Sequence, residues 1–174
     1  MEELALHILD IAQNGLAANA TQIDISIVEH DGVITVTIRD NGDGMPEETV
    51  KNVLDPFVTS RTTRKVGLGL PLWKQLSEDC NGGFTLESAT GQGTTVTAWF
   101  EAGHVDLPPL GDMAETIASL VMCNPDKDFR YIHAVGENKF TLDTRELRRI
   151  LGDVSLGTPD VAVWIKEYIR ENNK

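Results

Sequence analysis

The chain has 174 residues and a hydrophobic content of 41%, which suffices for one domain of ordinary size or one domain with a small appendage. With 27 acidic and 15 basic residues its formal net charge is −12, which argues against nucleic acids and anionic membranes as partners, because both attract clustered Lys and Arg. Two cysteines without a metal or disulfide pattern, an acidic N-terminus and no apolar run near ~18 residues predict a cytoplasmic protein without signal peptide or membrane span.

The first predicted element is a helix over residues 2–18, where apolar residues recur at helical spacing. His7, Asp10 and Asn14 share one stripe of this helix, since positions three and four residues apart lie on one face. An amide among apolar and small neighbours needs a partner, and Mg²⁺ with its waters would provide one for Asn14 because hard cations take oxygen ligands. A half-exposed polar stripe without a ligand explains the same pattern.

The next elements are predicted as a β-hairpin with strands at 21–28 and 33–38, each alternating apolar and polar residues. A motif at 40–45 follows directly, with the sequence Asp-Asn-Gly-Asp-Gly-Met. An acid at the end of a strand followed by glycines leaves a carboxylate uncrowded at the sheet edge. This carboxylate would suit the exocyclic amine of a planar ring. A plain strand-to-helix turn is the alternative, because Pro46 is typical of a helix start.

Two further stretches are suited to phosphate groups. Residues 59–65 combine small hydroxyls with Arg61, Arg64 and Lys65, which predicts a lid over phosphates or, alternatively, an ordinary solvated loop. The sequence Gly-Leu-Gly-Leu at 67–70 opens a helix that is predicted to reach about Cys80. Glycines at a helix N-terminus expose N–H groups, and the helix dipole favours an anion there.

The remaining elements are predicted as two strands, a linker and a mixed tail. The strands lie at 84–88 and 94–100. The segment 103–111, which includes two adjacent prolines, is predicted as a linker from the domain at 1–102. Residues 112–174 are predicted as a small α+β domain of helix, hairpin and two helices, whose role no motif indicates. Its last helix carries an apolar stripe that we expect to be buried: Val161, Trp164, Ile165, Tyr168 and Ile169.

Taken in this order, the motifs over about residues 4–101 closely resemble one ATP-binding superfamily. It is shared by sensor histidine kinases, gyrase, the mismatch-repair ATPase and anti-sigma-factor kinases. The asparagine box lies at 10–14 and 18–21, the first glycine box at 40–44, the phenylalanine box at 55–57, the second glycine box at 67–70 and the third at 93–95. The complete ordered set is far more specific than any single box.

The resemblance implies a two-layer α/β sandwich, in which a mixed sheet is backed by helices and ATP lies between the helix layer and a lid. By position, Asp40 would accept a hydrogen bond from the adenine amine with Thr94 beside it, and Asn14 would hold Mg²⁺. The implied nucleotide-binding residues are Asn14, Asp40, Gly42, Gly44, Met45, Arg64, Lys65, Gly67, Leu68, Gly69, Leu70 and Thr94.

The subfamily is less clearly indicated by the sequence. Residues 56–100 look most like histidine kinases, yet Asp10 occupies the position of the glutamate base of the ATPases and anti-sigma kinases, one methylene shorter. The resemblance therefore implies Asp10 as the catalytic residue. The strand and helix that usually precede the first helix in histidine kinases are not recognised, so we expect one core surface to lack its usual cover.

The sequence thus favours a stand-alone kinase domain that transfers phosphate from Mg-ATP to a protein partner in signalling. A slow ATPase acting as a conformational switch is one alternative. A sensor that binds ATP or ADP without turnover is another, and it would have no use for a base at Asp10.

Overall fold

The computed structural model describes residues 3–55 and 69–172, which form a six-stranded sheet and its covering helices. The strands are β1 (Gln22–His30), β2 (Val33–Asp40), β3 (Gly83–Ala89), β4 (Gly93–Glu101), β5 (Asp128–Val135) and β6 (Asn138–Asp143). The helices in these ranges are α1 (Leu4–Ala17), α2 (Glu47–Val53), α3 (Gly69–Asp79), α4 (Met113–Cys123), α5 (Thr144–Leu151) and α6 (Pro159–Asn172). None of the helices in the described part of the chain has the length and apolar character needed to cross a bilayer.

The sheet is mixed and has the strand order β3-β4-β2-β1-β5-β6. Every neighbouring pair is antiparallel except β1 and β5, which run parallel. The turn between β1 and β2 is confirmed where it was predicted. Asp31 and Gly32 both have positive φ, at 50° and 77°, as a two-residue hairpin turn requires.

One face of the sheet is apolar and carries the helices, while the other is polar. Ile25, Ile38, Val96 and Tyr131 lie on the apolar face and are buried, because strand residues alternate between the two sides. The opposite face carries half-buried polar residues such as the pair Thr37 and Thr97. This arrangement confirms the predicted two-layer α/β sandwich.

The C-terminal part of the chain extends the same sheet. β5 pairs with β1 along its whole length, from Gln22 and Asp128 to Glu29 and Val135. The edge of β1 that does not pair with β2 therefore carries a strand from the tail. The domain boundary placed after residue 102 stays a prediction, although the hydrogen-bonded sheet runs across it.

The predicted linker contacts the first turn of α1. The N–H groups of Leu4 and Ala5 donate to the carbonyl oxygens of Pro109 and Leu110 at 3.0 and 2.8 Å. The first N–H groups of a helix have no partner within the helix, so these carbonyls supply one from outside. The start of α1 thus depends on residues beyond position 102.

The apolar stripe of α6 differs in part from the prediction. On α6 Val161, Ile165 and Ile169 are buried, but Trp164 is 45% exposed and stacks on Tyr168 with ring centroids 4.8 Å apart. The expectation that Trp164 is buried was wrong. The stripe that faces the core follows every fourth residue, and position 164 falls on its flank.

We predict that the fragment 1–102 is much less stable than the full chain. Truncation after Ala102 removes the carbonyl groups of Pro109 and Leu110, which accept the first N–H groups of α1. It also removes β5, which pairs with β1. We expect the fragment to aggregate or to melt at least about 10 °C below the full chain in differential scanning fluorimetry.

A cut within the predicted linker provides the control. Val105 is 91% exposed, so a protease site inserted there breaks the chain without removing either part. We expect the two cut pieces to elute together and to melt near the intact chain. A fragment 1–102 that stays monomeric with an unchanged melting temperature would contradict the prediction.

Candidate functional site

Asp40 is the central polar side chain at one end of the sheet. It is the last residue of β2, faces the helices, and pairs with Ile23 on one side and Thr94 on the other. Its Oδ1 accepts the Gly42 N–H at 2.9 Å, and the carboxylate also accepts the backbone N–H of Thr94. Burial raises the pKa of Asp40 above its ordinary value, while the two backbone hydrogen bonds act in the opposite direction.

Gly15 of α1 keeps the Asp40 carboxylate uncovered. A Cβ atom at Gly15 would lie 2.9 Å from Asp40 Oδ2 and equally close to the Ile23 side chain. Any larger residue would therefore cover or displace the carboxylate. Sequence reasoning missed this residue, and its one signal was a glycine in the interior of an amphipathic helix, where glycine is unfavourable.

The motif 40–45 is fastened to the loop that follows α1. Asn41 Oδ1 accepts the N–H groups of Thr21 and Gln22 at 2.8 and 3.0 Å, and its Nδ2 donates to Thr21 Oγ1 at 2.8 Å. Asn19 Nδ2 donates to Asp43 Oδ2 at 2.8 Å. These contacts fix the position of the motif relative to α1.

Gly44 and Met45 connect the motif to the edge of the sheet. Gly44 has a φ of 70°, and a Cβ there would overlap the carbonyl oxygen of Ala89. The Met45 N–H donates to Ser88 Oγ at 2.9 Å. Ser88 in turn donates to the Gly93 carbonyl at 3.0 Å and lies 2.8 Å from Thr94 Oγ1.

Ser88 is therefore a hydrogen-bonding centre between three parts of the site. It contacts the motif through Met45, the glycine turn through Gly93, and Thr94 beside Asp40. Sequence reasoning placed Ser88 at the end of a strand and gave it no role. Its partners lie up to 43 positions away, so no local pattern could indicate them.

Asp10 and Asn14 lie on the same helix as Gly15. The Asp10 side chain is half-buried against Gly69, the first residue of α3, and a Cβ atom at Gly69 would overlap Asp10 Oδ2. Burial raises the pKa of Asp10. The Asn14 Nδ2 is buried and has no hydrogen-bond partner among the described residues. Such an orphaned buried group requires an explanation, and a bound ligand is one.

His7 contacts α3 rather than the predicted site residues. Its ring is 5% exposed and lies 4.9 Å, centroid to centroid, from Trp73, which packs on Phe100 at 5.1 Å. Burial lowers the pKa of His7, so the neutral imidazole is favoured. The residue forms part of the packing between α1 and α3.

The structure groups the predicted site residues around two places. Asp40, Gly42, Gly44, Met45 and Thr94 lie at the end of β2, and Asp10 with Asn14 lies on α1 beside the start of α3. Leu70 is buried in the core next to Gly69. The remaining predicted residues lie outside the described ranges: Arg64, Lys65, Gly67 and Leu68. The roles of all these residues toward a nucleotide stay predictions.

Comparisons with known proteins agree with this geometry. The family model described as histidine kinase-, DNA gyrase B-, and HSP90-like ATPase matches residues 1–104. Sporulation kinase D of Bacillus subtilis (strain 168) is 34% identical over 92 residues, or 52% of this chain and 18% of that protein. Sensor histidine kinase YkoH of the same organism is 30% identical over 95 residues, or 52% and 21%. Cell-division control histidine kinase PdhS of Brucella abortus (strain S19) is 31% identical over 118 residues, or 60% and 11%.

These alignments cover only part of each relative. Between 11% and 21% of the three proteins' own length is spanned.

We predict that Gly69→Ala destabilises the protein through Asp10. At the first position of α3 the gain in helix propensity is small, whereas the Asp10 carboxylate must rotate away from the new Cβ atom, which should cost on the order of 1 kcal/mol because Oδ2 is the free end of a flexible side chain. The double variant Gly69→Ala/Asp10→Ala should recover most of the loss, because it removes the overlapping atoms. Urea denaturation of the four proteins gives the coupling energy. If Gly69→Ala changes the free energy of unfolding equally in the parent and in Asp10→Ala, the two residues are not in contact.

Proposed function

The chain belongs to the histidine kinase-, DNA gyrase B-, and HSP90-like ATPase family, and on this premise we propose that it transfers the terminal phosphate of Mg-ATP to a partner protein in cytoplasmic signalling. The family makes it an ATP-binding, kinase-like domain. The observation that carries the proposal is the uncovered Asp40 carboxylate at the end of β2, held by two backbone N–H groups. The names of the relatives as kinases support transfer to a protein, and the partner is part of the proposal.

The adenine end of the nucleotide is assigned to Asp40. A carboxylate that already accepts N–H groups from Gly42 and Thr94 has lone pairs left for one more donor. The exocyclic amine of adenine supplies such a donor, and Gly15 leaves room for it to approach. Met45 offers a flexible apolar surface beside the ring.

The phosphate end is assigned to α1 and α3. Asn14 offers an amide oxygen, and Mg²⁺ commonly uses one or two protein oxygens together with phosphates and water. When bound, the metal neutralises phosphate charge. The buried, unpartnered Nδ2 of Asn14 is a hydrogen-bond donor, so it fits a phosphate oxygen and not the cation itself. Gly69 and Leu70 contribute the N–H groups of the first turn of α3, which favours anions.

Asp10 favours a second candidate function, which is slow ATP hydrolysis. Its carboxylate lies against the first residue of α3, at the place assigned to the phosphates. A raised pKa brings a carboxylate closer to the range in which a general base works well. Asp10 therefore serves either to activate water or to accept the proton of a hydroxyl in the partner. Transfer to a histidine needs no such base.

We predict that Asp40→Asn weakens ATP binding by a factor of about ten or more. The amide places an NH₂ group where the adenine amine needs an acceptor, and a buried hydrogen bond left unmade costs about 1–3 kcal/mol. Isothermal titration calorimetry measures the affinity. Asp31→Asn makes the same change in charge at the exposed hairpin turn and should bind ATP normally. Equal affinities of the two variants would remove Asp40 from the site.

We also predict that Asp10→Asn separates chemistry from binding. Loss of a general base typically lowers the rate by ~10²–10⁴-fold, while ATP affinity should change little. Free-phosphate release and label transfer from ATP to protein are measured side by side. Full transfer by Asp10→Asn would indicate a histidine acceptor.

The same variant carries its own folding control. A carboxylate whose pKa is raised in the folded state lowers the free energy of unfolding. The effect is largest at pH values above both the folded and the unfolded pKa, and it decreases as the pH falls through the folded pKa. The melting temperature of Asp10→Asn should therefore equal or exceed that of the parent at pH 8. The advantage should shrink toward pH 4.

A further inference from the structure

A cavity of about 550 Å³ lies on the side of Met45 that borders β3. Met45, Pro46, Glu47 and Val50 line it from the α2 side, and residues 86–90 line it from the β3 side. Asp40, Asp10 and Asn14 are not among its lining residues. Met45 is the one described lining residue that is also assigned to the nucleotide, so the cavity adjoins the adenine end of that site and otherwise lies outside it.

The lining shows that the cavity borders the edge of a strand. Successive residues of a strand point to opposite faces, so a cavity above one face would meet every second residue. Here Leu86 and Ser88 face the helices, Glu87 and Ala89 face the other way, and all four line the cavity. Among the described strands β3 pairs with β4 alone and ends the sheet. Half of its backbone N–H and C=O groups therefore point away from β4.

The charge of the cavity is negative. Glu47 and Glu87 line it, and its lining residues within the described ranges include no Lys or Arg. Lys51 lies 3.4 Å from Glu47 and offsets its charge in part, although both side chains are largely exposed and solvent screens the pair. Glu87 makes no ion pair with any described residue. Apolar contact is available from Met45, Val50 and Leu86.

We propose that the β3 edge and this cavity form a docking surface for an extended, basic segment of a partner protein. The segment adds a strand alongside β3 through backbone hydrogen bonds, places an apolar side chain between α2 and Leu86, and presents Lys or Arg to Glu87. Ser88 lines the cavity and accepts the Met45 N–H, so the docked segment lies one hydrogen bond from the motif that contains Asp40. This surface would bind the partner protein of the proposed transfer reaction. Only that link to the reaction rests on the proposed function, whereas the binding of a basic segment does not.

The test uses the full chain without nucleotide, labelled with a fluorophore. It is applied to an array of acetylated hexapeptides in which valine alternates with Lys, Arg, Ser, Asp or Glu. We expect the Lys and Arg members to retain several-fold more protein than the Asp and Glu members. Alternate N–H groups of a strand point to opposite sides, so only one set of peptide amides can pair with β3. Of the two versions that are N-methylated on alternate amides, the one that blocks this set should abolish retention. Hydrogen exchange with a soluble basic member should slow at residues 86–90.

Two charge reversals localise the binding. Glu87→Lys should weaken binding of the basic hexapeptide roughly tenfold or more, because it replaces attraction with repulsion. Glu137→Lys makes the same change in net charge at the exposed β5–β6 turn and should leave binding unchanged.

Several results would overturn the proposal. These are equal retention of basic and acidic members, retention that survives both methylation patterns, or protection confined to another part of the chain. If hydrogen exchange at residues 86–90 becomes slower as the protein concentration is raised without any peptide, the edge binds a second copy of the chain instead. Because ATP is absent, failure of peptide docking and failure of ATP binding are separate results.

Discussion

A half-buried carboxylate at the end of a strand is the constraint on which the rest of the site depends. Taking a charged group partly out of water is unfavourable unless donors surround it. Asp40 meets this need with the N–H groups of Gly42, in the motif after β2, and of Thr94, near the start of β4. Both segments must therefore hold their backbones close to one side chain. Asn41 connects the motif to the residues that follow α1, and Ser88 of β3 contacts both the motif and Thr94.

The helix layer follows from the same requirement. α1 passes over Asp40 at Gly15, where the absence of a side chain leaves the carboxylate accessible. Asn14 directly precedes Gly15 on the same helix, and Asp10, more than one turn earlier, lies against the start of α3. A single helix therefore connects the end of β2 with the N-terminus of another helix. Because α1 contacts both groups of predicted residues, it fixes the position of one group relative to the other.

The sequence predicted the parts of this arrangement that depend on local order. The hairpin at Asp31 and Gly32 follows from turn chemistry, and the positions of the motifs on strand ends and helix starts follow from periodicity. The roles of Asn41 and Ser88 depend on hydrogen bonds across 20 and 43 positions, which no local pattern contains. Trp164 was placed wrongly because periodicity defines a stripe but not which part of its width faces the core. Neither the boundary after residue 102 nor the contacts of each residue with a nucleotide can be read from local patterns, so both stay predictions.

The attachment of α1 to the carbonyls of Pro109 and Leu110 has a mechanical consequence. An α-helix resists stretching along its axis and rises about 1.5 Å per residue, so it acts as a stiff rod of roughly 15 Å between Leu4 and Asn14. Residues 109 and 110 are therefore joined to the position of Asn14 through one stiff element and not through a flexible connection.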